Sequence, residues 1–366
     1  MVSYKLQKDC RSACGYFCSF CHHVRSHVGV SRPNHVCLHI IIFKKKLLDL
    51  NFPGGIIKIL FDWYSKTFTM VRWNNSFSHL LLVRSGIRQG GILSPLLFNI
   101  YINTIITALE KADMGCHIDN TFVGCIAYAD DILLLSASVV HLHKMLEICQ
   151  SQGEKLDVRF NPNKSCLFTF GKDYKEQMDN IHFGAGDTGI TWVDNMKYLG
   201  INFVSSKRVK IDICPFLRKF YGSVNAVMAH SKFVNEDVKL RLFESFALPL
   251  LTYGLNVLFL SGTQLSKLNS GWNNVYRKIF GMKPWESVKE IQIFCNRLDL
   301  KHLINLNKMN FLSNVSTSPI RVLQCCISQA IRSASVKKLF YFYGVYTGCC
   351  VGFNTVFSKL KCALVV

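Results

Sequence analysis

Residues 125–135, CIAYADDILLL, constrain this chain more than any other stretch. Two apolar runs, 125–129 and 132–135, flank the adjacent pair Asp130-Asp131, the pattern of two strands joined by a tight turn that carries both carboxylates. Two like charges roughly 4–6 Å apart above an apolar base, at an effective dielectric of about 20, repel by roughly 3–4 kcal/mol. A divalent metal between them relieves that repulsion; without one, the stretch is a β-hairpin with an acidic tip.

A second strong pattern is SGIRQGGILSPLLFNIYINTIITALEK, residues 85–111. Ser94 is a suitable N-cap and Pro95 a suitable first helical residue, so the glycine-bearing loop through Arg88, Gln89, Gly90 and Gly91 is expected to feed a helix. That helix is apolar nearly all round and is expected to be buried. A glycine loop at a helix N-terminus offers free N–H groups to a phosphate or a base-paired nucleotide. An ordinary capped core helix would show the same cap and the same apolar residues.

The string RQGGILSPLLFNIYIN, with Asp130 following 40 residues after Gly90, closely resembles the reverse transcriptases of non-LTR, LINE-type retrotransposons. The resemblance continues downstream. LDVRFNPNKSCLFTF looks like the family's next motif, with Lys164 placed 33 residues after the acidic hairpin. MKYLGINF resembles the primer-grip hairpin, with Tyr198, Leu199 and Gly200 at the matching positions. KLRLFESFALPLLTYGLNVL and WNNVYRKIFG are similar to segments that follow the polymerase core.

The resemblance implies an RNA-directed DNA polymerase that copies RNA into DNA with two divalent metals, Mg²⁺ or Mn²⁺. By that implication Asp130 and Asp131 hold metal and are catalytic, together with Lys164, which lies near the triphosphate. Arg88, Gln89, Gly90 and Tyr128 line the nucleotide and template pocket. The implied partners are an RNA template, a DNA primer and deoxynucleoside triphosphates. The expected fold class is α+β, a polymerase palm with an antiparallel sheet packed on helices, followed by a helical thumb. The corresponding domains are a Cys/His-rich leader over 1–42, an incomplete palm without fingers over 43–211, a helical thumb and following region over 212–318, and a divergent tail over 319–366. The chain thus reads as an N-terminally truncated member.

One departure matters. The family places a further metal-binding Asp, in a Phe-Asp context, on a strand before the Phe43 region. Counting back puts that Asp near Val36, in PNHVCLH, and no acidic residue lies between Asp9 and Asp49. The expectation is therefore a polymerase that is inactive as it stands, and the alternative is an inactive remnant acting as a basic nucleic-acid-binding module.

Charge is consistent with either reading. Lys and Arg number 43 against 23 Asp and Glu, a net charge of +20 dispersed along the chain, which suits a polyanionic partner. The 16 cysteines follow no regular framework and no secretory signal precedes them, so they are read as reduced thiols in a cytoplasmic or nuclear protein. In the leader, Cys18 and Cys21 with His27, His35, Cys37 or His39 could make a tetrahedral zinc site, although the spacing fits no standard finger. Residues 339–357 carry no charge, but glycines and polar residues interrupt them, so no membrane span is expected there.

Shorter signals complete the reading. Pro53-Gly54-Gly55 is expected to divide two helices, Asn74-Asn75 to turn a hairpin, and Asn235 to cap a helix with Leu240, Phe243 and Ala247 on its apolar face.

Overall fold

The computed structural model describes residues 2–7, 35–83, 90–172, 174–175, 181–182, 189–258 and 260–332. The chain divides into two compact units, one comprising 1–117, 122–194 and 205–208, the other 118–121, 195–204 and 209–366.

In the first unit, strand β1 (Val2–Gln7) comes from a sequence that alternates apolar and polar residues, the period of a strand. Helices α1 (His35–Asp49) and α2 (Gly54–Ser65) are parted where Pro53 takes the N-cap position of the second. Leu47, Ile57 and Leu60 form a small core with Leu97. A ribbon follows in which β2 (Phe68–Thr69) pairs with β5 (Leu81–Leu82), and β3 (Arg72–Trp73) with β4 (Ser76–Phe77). Its tip is at Asn74, which takes the left-handed φ of 51° that asparagine tolerates.

Helix α3 (Ser94–Ala112) leads through the short pair β6 (His117–Ile118) and β7 (Thr121–Phe122) to β8 (Cys125–Tyr128) and β9 (Asp131–Ser136). Then come α4 (Val139–Lys155), β10 (Cys166–Thr169), and the small pair β11 (Ile181–His182) and β12 (Gly189–Ile190). The main sheet has the order β10-β1-β9-β8, with every neighbouring pair antiparallel. Strand, helical crossover, hairpin, helical crossover, strand is a split β-α-β arrangement. Ile102, Ile105 and Leu109 of α3 meet Leu142, Met145, Leu146 and Cys149 of α4 over Ile132, Leu134 and Leu167 of the sheet, all at most 3% exposed. Each such side chain contributes about 1.5–3 kcal/mol on leaving water.

Three sequence expectations meet a different structure here. Residues 2–7, placed with the leader, are hydrogen-bonded between two strands of the main sheet. The N-cap of α3 is Leu93, so Ser94 lies one position inside the helix and is buried, hydrogen-bonded to Tyr64 rather than to the helix's own amides. The helix also buries one stripe rather than its whole circumference; Leu96 is 52% exposed, because a crossover helix covers the sheet with one face only.

The second unit opens with an antiparallel three-stranded sheet, β13 (Asn195–Tyr198), β14 (Ile201–Val204) and β15 (Lys210–Asp212). It continues as helices α5 (Cys214–His230), α6 (Glu236–Phe246), α7 (Leu248–Thr252), α8 (Gly262–Ile279), α9 (Lys289–Phe294), α10 (Leu300–Ser316) and α11 (Arg321–Arg332). Three of these starts carry side-chain caps. The Asn235 side chain accepts from the Val238 amide at 3.0 Å, Ser261 and Gln264 form a reciprocal box, and Asp299 accepts from the His302 amide at 2.7 Å. Leu240, Phe243 and Ala247 are buried as expected. The core centres on Phe220, Phe243, Trp272 and Tyr276, with the Trp272 and Tyr276 rings edge-on at 5.3 Å, a pairing that contributes about 0.5–1.5 kcal/mol beyond area burial. Glu244 on α6 receives two bonds from Arg297, 2.5 and 3.1 Å long, tying the chain beyond α9 to that helix.

Among the described residues no helix is long and apolar enough to cross a membrane. Residues 339–357 and the leader cysteines Cys18 and Cys21 lie outside the described residues.

A candidate active site at one end of the main sheet

Tyr128 pairs with Asp131, so Ala129 and Asp130 form a two-residue loop between β8 and β9. Ala129 holds φ at 51°, a left-handed conformation that costs a non-glycine residue about 1–2 kcal/mol. Directly beneath, Ile132, Leu133 and Leu134 are buried in succession. The apolar run anchors the strand, and the first residue beyond the core on that strand is Asp131. Both Asp130 and Asp131 are half-buried, whereas Tyr128 is 64% exposed. Cys125, at the base of β8, has its thiol pushed up to about 12 by burial, with Glu110 adding to the effect, so it stays protonated and acts as a small apolar residue.

Strand register brings two more residues to this end of the sheet. Gln7 of β1 sits opposite Asp131. On the other side of β1, the register runs from Val2↔Thr169 to Lys5↔Cys166, which carries the chain toward Lys164 at the same end. Lys164 closes a 3₁₀ turn, Pro162–Lys164, which Asn161 caps by accepting from the Asn163 amide at 3.0 Å. Its side chain is exposed.

Position 36, where counting along the sequence pattern places a further Asp, is in α1. A residue there lies on a helix and cannot be an added strand of the sheet. The strand next to Asp131 is β1, and the residue paired with Asp131 in the register is Gln7. Nothing in sequence spacing pointed to Gln7, although the alternation of Val2-Ser3-Tyr4-Lys5-Leu6-Gln7 is a usable strand signal.

Gly90 precedes α3 with φ at 77°, and a Cβ there would meet nothing within 4 Å, so the left-handed backbone rather than crowding is what calls for glycine. Arg88 and Gln89 lie outside the described residues. The helix they precede is fixed from its other side. The Lys46 ammonium donates to the Tyr101 carbonyl and lies 5.2 Å over the Tyr101 ring, while the Tyr101 hydroxyl donates to the Leu156 carbonyl at 2.6 Å. Burial lowers Lys46 to about 8 and raises Tyr101 to about 12, the latter aided by Asp157.

Tyr198, Leu199 and Gly200 belong to the second unit, at the β13–β14 turn. Tyr198 is buried at 8% exposure, so it is Gly200 that the turn presents to solvent, beside a half-buried Leu199. Tyr253, which no local pattern singled out, donates its hydroxyl to the Leu199 carbonyl at 2.9 Å.

Oxygen donors such as Asp130 and Asp131 suit a hard divalent cation, and adjacent carboxylates at the end of a split β-α-β sheet supply part of such a site. Among the described residues no group of three or more His, Cys, Asp or Glu side chains gathers to complete one.

Residues 35–203 match the reverse transcriptase (RNA-dependent DNA polymerase) family. It is similar to the Pol polyprotein of the retrotransposable element R2DM of Drosophila melanogaster, 25% identical over 46% of this chain and 17% of that protein. The R2 Pol polyprotein of Popillia japonica is 23% identical over 64% of this chain and 38% of its own length. The RNA-directed DNA polymerase from the mobile element jockey of Drosophila melanogaster is 23% identical over 67% of this chain and 27% of its own length. The matches support a reverse transcriptase of the non-LTR, LINE-type kind, and the chain spans well under half the length of these relatives.

Proposed function

We propose that the first unit is the palm of an RNA-directed DNA polymerase and that the second supplies its primer grip and helical thumb. The reading takes an RNA template, a DNA primer and deoxynucleoside triphosphates as partners. The observation that carries it is the place of Asp130 and Asp131, adjacent and half-buried at the end of the main sheet, inside the stretch that matches the family.

Asp130 and Asp131 would hold Mg²⁺ or Mn²⁺, which when bound would supply charge neutralisation at the triphosphate and activation of the primer hydroxyl. Tyr128 flanks the incoming nucleotide from the exposed side of the same hairpin. Gly90, with Arg88 and Gln89 outside the described residues, is assigned to the nucleotide and template pocket, and its left-handed backbone is one that a side chain at position 90 would strain. Lys164, as a cation, offsets charge on departing pyrophosphate. The Leu199-Gly200 turn contacts the primer backbone, and the net charge of +20 draws nucleic acid to the whole surface. Eight of the described cysteines are free thiols, which suits a cytoplasmic or nuclear setting.

Position 7, which pairs with Asp131, carries no acidic residue, so binding of primer and template is expected to be better preserved than primer extension. The deciding measurement is Mn²⁺ relaxation enhancement in the presence of a primer–template duplex. The Asp130→Asn, Asp131→Asn double variant is expected to fall to the value of Mn²⁺ with the duplex alone. Equal enhancement in wild type and double variant would overturn the assignment and leave an acidic turn.

A further inference from the structure

We propose that Tyr253 and Gly254 form a seat that holds the Leu199-Gly200 turn in its left-handed form, making Tyr253 a positioning residue for the primer strand. The inference rests on the reading of that turn as the primer grip, and it concerns a residue to which neither the sequence patterns nor the comparisons assign a role.

The turn itself poses the problem. Tyr198 pairs with Ile201 across a two-residue loop in which Leu199 has φ at 44° and Gly200 at 81°. Positive φ at both positions defines a type I′ turn, whose first place is normally filled by asparagine, aspartate or glycine. Leucine has no side-chain acceptor to support the left-handed backbone, and its Cβ crowds the following carbonyl. Such a residue stays in place only where its surroundings over-determine it.

Two consecutive residues of the helical region supply that constraint. The Tyr253 hydroxyl donates to the Leu199 carbonyl at 2.9 Å. Its ring lies against the next residue, since a Cβ on Gly200 would come within 3.3 Å of Tyr253 Cε1. Gly254, with φ at 70°, meets the residue after that, because a Cβ there would lie 3.1 Å from Ile201 Cδ1. Leu199, Gly200 and Ile201 are thus each met by one half of the Tyr253-Gly254 pair, and glycine is needed on both sides of the contact.

The seat is rigid because its own footing is buried. Tyr253 directly follows α7, where Leu251 is fully buried, and Leu255 just beyond is 1% exposed in the same core. Thr252 closes the helix by donating its hydroxyl to the Leu248 carbonyl at 3.0 Å. Tyr253 nevertheless remains 53% exposed, so its ring is a bracket at the edge of the core rather than part of it.

Removing only the hydroxyl isolates the effect, because Tyr253→Phe keeps the ring against Gly200. The loss of one neutral hydrogen bond corresponds to a change of about threefold to tenfold. The full chain is measured in two ways, by amide hydrogen exchange at 199–202 and by the affinity for an RNA–DNA hybrid with a recessed 3′ end against single-stranded RNA of equal length. Tyr253→Phe is expected to speed exchange at the turn by that factor and to weaken hybrid binding similarly, with single-strand affinity unchanged. Placing Asn at 199 gives the left-handed position a tolerant residue, so both effects of Tyr253→Phe are expected to shrink in the Leu199→Asn background. A purely structural loss of fold would show the same change in both backgrounds.

Unchanged exchange in Tyr253→Phe would overturn the seat. Faster exchange with unaltered hybrid affinity would overturn the positioning role while keeping the seat. A wild-type chain with no preference for the hybrid would overturn the primer-grip reading itself, and with it the positioning role, whereas the exchange measurement would still decide the seat.

Discussion

The two hairpins that the proposed function depends on are alike in the backbone and different in what holds them. Each has a two-residue loop with a non-glycine residue at positive φ, Ala129 in one and Leu199 in the other. The acidic loop stands on β9, a strand paired on both sides, with Ile132, Leu133 and Leu134 buried in a row below it. The grip loop likewise joins an edge strand, β13, to a strand paired on both sides, β14, but β14 is only half-buried along its length, and a tyrosine from a helix end braces the loop from outside. The proposed metal-holding loop is thus carried on a buried stretch of strand and core. The proposed primer-grip turn stands on a half-buried strand and is braced from outside by Tyr253 and Gly254, which leaves it easier to shift.

The largest expected effect comes from removing the footing of the first hairpin. Leu134 is 0% exposed, and Leu134→Ala is expected to cost about 2–5 kcal/mol of stability, read as a fall in the urea midpoint of the first unit. If the acidic loop is indeed held by core packing, the same variant also weakens Mn²⁺ binding, while Tyr253→Phe leaves it alone. Equal sensitivity of Mn²⁺ binding to both variants would erase the distinction between the hairpins.

Next is an addition to the same sheet. Gln7→Asp puts a carboxylate at the position facing Asp131, and primer extension with Mn²⁺ is expected to rise by about 10² to 10³, the range commonly lost with one preorganised charge-stabilising group. No change in rate would mean that register across β1 does not reach the reacting atoms.

The smallest effect concerns the support of α3. Burial holds the Lys46 ammonium at about 8 in the folded chain against 10.5 when unfolded, so between those values the unfolded state binds more protons and stability rises with pH. The penalty is full below pH 8 and is lifted toward pH 10.5. Lys46 is only half-buried and its bond to the Tyr101 carbonyl is lost on substitution, so Lys46→Met is expected to stabilise by about 1 kcal/mol or less at pH 7 after allowance for solvent screening. The difference in urea midpoint between variant and wild type should close as pH approaches 10. A gap that widens with pH would reverse the sign assigned to this lysine.

Local features of the fold were legible where the signal and its cause lie within a few residues. The β8–β9 hairpin, the break at Pro53-Gly54-Gly55, the Asn74 tip and the Asn235 cap each follow from backbone preferences of the residues themselves. What escaped was decided at long range. Strand β1 has a proper alternation, but six residues do not say which strands they join, and its partners lie beyond residue 130. Placing a metal ligand near Val36 relied on sequence counting, whereas the sheet assigns the facing position to β1. The inward stripe of α3 could not be told from its outward face, since nearly every position there is apolar and only the direction of the sheet distinguishes them. Tyr253 sits in a stretch whose resemblance and helix break at Pro249 give it no particular partner, and its link to Leu199 spans 54 residues.

The central place of β1 also sets an order of events when the chain is made. Its neighbours β9 and β10 emerge from the ribosome long after it does, since position 7 pairs with position 131 and position 5 with position 166. At about 5–20 residues per second, the stretch from 7 to 131 takes about 6–25 seconds to synthesise. During that interval a β-prone segment waits without its strands, and the sheet can close only after α4 and β10 are out. Nascent chains of this protein should therefore acquire protease resistance in the first unit in one late step rather than gradually.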